Sequence, residues 1–310
     1  MAKRITPAVL KIEKRKARLN KRGRGITDQL ISTTPGKEAW RRFRRNRLAV
    51  VGGVLFIILI LVALLAPVLA PKGFDNQDYS ATLQTPNIKH WFGTDQFGRD
   101  ILDRIIWGAR ISLPIGICCT LSNLLFGGIL GSCAAFFGGK TDNIIMRILD
   151  VISAIPSMLM AIAVMASLGA GVVNLILAMT ISYIPLFARV VRAAILTVKA
   201  NDYIEAANAV GVGTFRQILL HMIPNALGPV IVQATFNVAS SILVVSGLSY
   251  LGLGIVPPTP EWGSMLAGGR EYLRQFPHII LFPGLTIMMT VLSLNLFGDG
   301  LRDALDPRLK

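Results

Sequence analysis

Between Leu48 and Ala70 the chain runs for 23 residues without a charged side chain, and 16 of them are Leu, Ile, Val or Phe. At about 1.5 Å per residue, a helix of that length exceeds the roughly 30 Å hydrocarbon core of a bilayer. In hydrocarbon every backbone polar group must find its partner within the segment, so a run like this has few alternatives to a spanning helix. Five further runs with almost no charge follow at 111–139, 148–168, 171–188, 226–248 and 279–298. The fifth of the six spans belongs to a longer uncharged stretch that Pro257, Pro258 and Pro260 close off. The sequence therefore predicts an all-α polytopic membrane protein with six transmembrane helices over 48–310. Val68-Leu69-Ala70 loosely matches a signal-peptidase site, but the apolar run is too long for a signal peptide, which predicts an uncleaved anchor.

Composition agrees. Charged residues make up 16% of the 310, against about a quarter in soluble domains. Three cysteines exclude a disulfide-stapled secreted domain. The net charge of +15 is concentrated: residues 1–47 hold 16 of the 32 Lys and Arg against three acids. This basic arm runs straight into the first span, where positive charge fixes a cytoplasmic orientation and attracts anionic lipid. A membrane role explains the charge better than nucleic-acid binding does. With the arm inside, the predicted cytoplasmic segments carry 25 Lys and Arg and the outer segments seven, which places both termini in the cytoplasm.

A catalytic reading finds no footing. Ala134 to Thr141 falls one residue short of a phosphate-binding loop, yet it ends a membrane span where the loop needs a strand before it and a helix after it. His90, His221 and His278 form no metal-ligand spacing, and Cys118, Cys119 and Cys133 share one helix without one. The spans also lack the mid-membrane Asp, Glu or His on which ion-coupled carriers hold their driving ion. Asp150, near Arg147 at the edge of the third span, reads as an end charge. A pump without a coupling site must draw its energy from a partner. Gly127, Gly131, Ala135 and Gly139 form a stripe of small residues along the second span, suited to close helix packing.

The cytoplasmic stretch 194–224 carries the most information. Asp202 with Glu205, and Thr214 with Gln217, read as two capping boxes. Gly211-Val212-Gly213 between them permits a positive φ, and Pro224 reads as the stop of the second helix. Two short helices with a sharp turn are predicted, the first presenting Ala206, Ala207 and Ala209. Local physics alone is equally satisfied by a hairpin that only tethers two spans and by one that lies in another protein's groove.

Glu205-Ala206-Ala207, Gly211, Phe215, Ile218, His221, Pro224 and Asn225 resemble the EAA loop of binding-protein-dependent ABC importers. Three further segments are similar to the C-type subunit of the dipeptide/oligopeptide/nickel permease group. These are Gly93 to Asp100 with Arg104, Gly108, Arg110, Ser112 and Leu113; Pro258 to Gly263; and Asn295 to Pro307. The likeness covers about residues 38–310; Asp103 departs from a more usual Ser, and the arm is longer and more basic than the family leads one to expect. The resemblance implies a type I importer permease fold in a prokaryotic plasma (inner) membrane. It implies a non-enzymatic transport subunit, forming half of a path for peptides, with a second permease, two cytoplasmic ATPases and an extracytoplasmic solute-binding protein as partners. ATP and Mg²⁺ would reside in the ATPases, and this chain would hold no cofactor or metal of its own. The loop bearing Asp202, Glu205, Ala206, Ala207, Gly211, Phe215, Ile218 and Pro224 would be the ATPase-coupling element. A stand-alone carrier or channel is the alternative.

Two features stay open between roles. Asp95, Arg99, Asp100, Asp103 and Arg104 crowd one short outer stretch, expected as a short helix of its own. They and the loop with Glu261 and Trp262 suit either a docking surface for the solute-binding protein or a self-satisfied ion network. Trp40 to Arg45 reads as an interfacial helix with its arginines toward lipid phosphate, or as a contact for an ATPase.

Overall fold

The computed structural model describes residues 35–305, and the expectations for the arm over 1–34 and for Asp306 and Pro307 lie outside it. A short helix α1 (Pro35–Arg45) leads into the first span, α2 (Arg47–Leu64), with a four-residue turn of helix, α3 (Ala66–Leu69), after it. The helix α4 (Ile101–Phe137) follows a long irregular segment, and then come α5 (Gly139–Ser153), α6 (Ser157–Leu168) and α7 (Val172–Lys199). The short helices α8 (Asp202–Ala209) and α9 (Thr214–Gln217) precede α10 (Ile223–Tyr250), α11 (Trp262–Gly269) and α12 (His278–Leu305). Among the described residues the only strand pairing is a single bridge between Thr94 and Asp100.

Among the described residues five helices are long and apolar enough to cross a membrane: α2, α4, α7, α10 with the turn before it, and α12. The third predicted span, 148–168, is broken. α5 and α6 meet at a 79° bend. Pro156 explains the break, since it stands directly before α6 and disfavours helical geometry in Ile155. Pro114, Pro185 and Pro229 sit inside α4, α7 and α10 without interrupting them.

Two other boundaries differ from expectation. The second span begins ten residues earlier, at Ile101, because Asp100 caps it by accepting from the N–H groups of Leu102 and Asp103. Asp103, Arg104 and Arg110 therefore ride on the first turns of a 37-residue helix and form no separate short one. The fourth span continues to Lys199, whose ammonium donates to the carbonyls of Ala135 and Phe136 and so closes the end of α4.

Backbones approach closely at several of the glycines. A Cβ on Gly131 would lie 2.4 Å from the carbonyl oxygen of Ala188, and one on Gly127 would lie 2.6 Å from Phe187 Cβ. Gly127 and Gly131, with Ala135 packed among Val191, Ala194 and Ile195, thus form the seam between α4 and α7 within this chain, while Gly139 falls outside it, in open space at the start of α5. Gly52 and Gly300 play the same part between α2 and α12. Between α4 and α10, Asn237 accepts from Thr120 Oγ1 at 3.0 Å and from Asn123 Nδ2 at 3.3 Å, a polar knot in an apolar interface. The segments around 71–100 and 251–277 gather at one end of the bundle. The α8–α9 hairpin, α1 and the end of α12 gather at the other.

Candidate functional site

The hairpin between α7 and α10 is built on one buried anchor. Ile204, 1% exposed, packs with Val191, Ala194, Ile195 and Val198 of α7 and with Met222 and Ala226 from the far side of the turn. That cluster fixes the inner face of α8. Its outer face is left bare: Asp202, Glu205, Ala206 and Ala209 are exposed, with Ala207 half-buried. Tyr203 and Val210 join them, and Val210 is 79% exposed. Sequence reasoning missed these two, although an apolar residue directly before a turn glycine is a legible sign of a protruding knob. Glu205 stands in the first turn, where a carboxylate suits the helix dipole. It makes no hydrogen bond among the described residues, so the expected capping role is not what it does here.

The end of α8 explains Gly211. Val212 N–H donates to the Ala207 carbonyl at 3.0 Å, and Gly211 adopts φ +75°. This is a Schellman stop, in which the residue after the cap must be left-handed. A Cβ at Gly211 would meet nothing within 4 Å, so the demand is on the backbone alone.

The second half of the hairpin departs from expectation. Asn201 precedes α8, its amide reaching back to the Thr197 and Val198 carbonyls, and Asp202 already lies in the helix. Gln217 Nε2 donates to the Val212 carbonyl at 2.8 Å, which braces the turn from within. The side chains of Thr214 and Phe215 are outside the described set. Pro224 stops nothing. Ile218 to Met222 form a π-turn, Ile223 N–H reaches the Ile218 carbonyl, and Pro224 falls in the first turn of α10. There its missing N–H costs little, and the widened turn before it makes room for the ring. The hairpin is therefore continuous with α10.

At the opposite end the acidic and basic residues turn inward. Asp95 folds the Gly93–Asp100 loop by accepting from the N–H groups of Phe97 and Arg99, and it receives Arg99 Nε at 2.8 Å. Arg104 approaches the same carboxylate at 3.7 Å and donates to the Phe74 carbonyl. Asp100, besides capping α4, meets His90 Nδ1 at 2.8 Å. Glu261 caps α11 through Ser264 N–H, and Trp262 donates its indole N–H to the Ile105 carbonyl. Asp95, Arg99, Arg104, Glu261 and Trp262 are all buried. These five form an internal scaffold and leave no side chain free for a docking partner. Burial pushes the Glu261 carboxyl above its ordinary range, partly offset by the N–H groups of Gly263 and Ser264.

The described residues thus make a bundle of membrane-length helices with a small exposed hairpin, continuous with α10, at one end. Residues 124–310 match the binding-protein-dependent transport system inner membrane component family. Residues 34–86 match the N-terminal TM domain of oligopeptide transport permease C. The chain is 43% identical over 283 residues to a dipeptide transport system permease of Alkalihalophilus pseudofirmus, covering 91% of this chain and 93% of that one. It is 43% identical to a di/tripeptide transport system permease of Pseudomonas aeruginosa, covering 91% and 95%. It is 44% identical to a glutathione transport system permease of Pectobacterium atrosepticum, covering 92% and 95%. The chain belongs to the family of binding-protein-dependent transport system inner membrane components. It is a multi-pass inner-membrane permease of the ABC importers, and the alternative of a stand-alone carrier or channel gives way.

Proposed function

We propose that this permease forms half of an ATP-driven path for short peptides and receives its drive through the α8–α9 hairpin. The observation that carries the coupling role is the bare outer face of α8. Glu205, Ala206, Ala209, Val210 and Tyr203 protrude together beyond the packed anchor at Ile204. Small side chains around one projecting apolar residue fit a groove on a partner. The partners implied are a second permease of the same kind, two ATPases holding ATP and Mg²⁺ at the hairpin end, and an extracytoplasmic solute-binding protein. The predicted excess of Lys and Arg on the hairpin side supports cytoplasmic termini. Peptides are the substrate class because the relatives above are named for dipeptides, di/tripeptides and glutathione.

Replacing Val210 with Cys, after Cys118, Cys119 and Cys133 have been changed to Ser, tests the coupling role, with an oxidant added to membranes containing the whole transporter. Disulfide capture of an ATPase subunit bearing a groove cysteine, dependent on nucleotide state, is the expected result. If no groove position on the ATPase captures it while the assembled complex still purifies, the hairpin is a tether and the coupling surface lies elsewhere.

A further inference from the structure

We propose that α1 and the first residue of α2 form a binding site for the headgroups of anionic phospholipids. The helix is divided cleanly by what its faces touch. Phe43, 8% exposed, is seated against the Phe297 ring at 5.5 Å, in a small cluster with Ala49 and Ala304. Trp40 stacks on Phe43 at 5.9 Å yet remains 58% exposed, and the Arg44 guanidinium lies 5.4 Å from its ring centre. At about 100° per residue, Trp40, Arg44, Arg41 and Arg45 follow one another around the helix from the flank of Phe43 to its opposite face. Arg41, Arg44, Arg45 and Arg47 are exposed, and no carboxylate pairs with them among the described residues.

Position makes lipid the occupant. Arg47 opens the first span, and the residues directly after it include the outward apolar side chains Leu48, Val51 and Val54. The start of α2 thus marks headgroup level. Asn46 alone separates α1 from it, and that residue is held twice: Oδ1 accepts from Ala49 N–H at 3.2 Å and Nδ2 donates to Asp303 at 3.2 Å. With Phe43 also docked on α12, α1 is held against the bundle at the level where α2 begins. Guanidinium forks match phosphate oxygens in a planar, two-point fashion, and an exposed indole is at home at that depth. Four guanidiniums with no carboxylate partner among the described residues favour a headgroup with net negative charge over a zwitterionic one, by about fivefold for each arginine near the surface.

The test uses the full chain with its co-purifying subunits in nanodiscs of phosphatidylcholine. A minor fraction is replaced by phospholipid brominated near the glycerol end, either phosphatidylglycerol or phosphatidylcholine. Trp40 emission is isolated as the difference between the wild type and Trp40→Phe. Brominated phosphatidylglycerol should be enriched around Trp40 several-fold over brominated phosphatidylcholine. Arg44→Gln with Arg45→Gln should lower that enrichment at least about fivefold or to parity, while the matching Lys pair retains most of it. Equal quenching by the two lipids in the wild type would overturn the site, and it needs no arginine variant to fold. Quenching by neither would overturn it as well, by showing that a protein partner covers α1.

Discussion

Replacing Gly211 probes the hairpin through its backbone alone. The residue sits at φ +75° with the Schellman bond from Val212 to Ala207 beside it, and a Cβ there would touch nothing within 4 Å. An L side chain in that region costs about 1–2 kcal/mol, which shifts the population of the native turn by roughly 5- to 30-fold. Asn tolerates the left-handed region better than Ala, and a β-branched Val tolerates it least. The expected order of coupling efficiency is Gly, then Asn, then Ala, then Val. If side-chain size mattered, Ala would outperform the larger Asn, so the two explanations separate on that pair. The assay is transport per ATP hydrolysed by the whole transporter in proteoliposomes. Gly211→Val should hydrolyse ATP with transport reduced by about an order of magnitude, and should still purify with its partners. Normal transport by Gly211→Val, or Ala surpassing Asn, would refute the backbone argument.

Two other outcomes follow from the packing. Gly131→Ala should destabilise the α4–α7 seam by about 1–3 kcal/mol, because the new methyl meets the Ala188 carbonyl, which side-chain motion cannot clear. Gly128→Ala, with open space around it, should not; the rate at which buried Cys119 becomes available to a thiol reagent on heating reads both. Glu261 supplies a pH dependence. Its raised folded-state pKa means the folded protein binds that proton more tightly, a contribution present at acidic pH and lost as pH rises from the ordinary carboxylate range through the raised value. Glu261→Gln keeps an acceptor for Ser264 N–H but does not titrate. The melting temperature of the wild type relative to this variant should therefore fall as pH rises above the ordinary carboxylate range, and a constant difference would show that Glu261 stays in one protonation state.

The spans were legible in sequence because the bilayer imposes one simple demand, an unbroken apolar length, and Leu48 to Ala70 meets it without context. The hairpin was legible for a related reason: Gly211 between two short helical patterns has a local backbone meaning. What the sequence hid was which of its charges the fold turns inward. Nothing near Asp95 says that Arg99 and Arg104 will both close on it inside the fold, and nothing near Glu261 says that Ser246 and Ser264 will enclose it. Dense charge at a membrane surface suggests docking until tertiary contacts bury it. Pro224 misled in the opposite way. A proline reads as a stop, yet the π-turn at 218–222 absorbs it and lets the helix run on.

That continuity gives the fifth crossing the mechanics of a lever. From Ile218 to Tyr250 the rod is 33 residues, about 50 Å, with no loose joint between the hairpin and its far tip. Its polar tie to α4 sits at Asn237, leaving arms of about 28 Å toward the hairpin and about 20 Å toward the Ser246–Glu261 end. A push of about 2 Å on the hairpin, typical of helix shifts at interfaces, would tilt such a rod by about 4°. Its other tip would swing the opposite way by about 1.4 Å. The amide at Asn237 would then act as the fulcrum, and its placement sets both the direction and the gearing of whatever the hairpin receives.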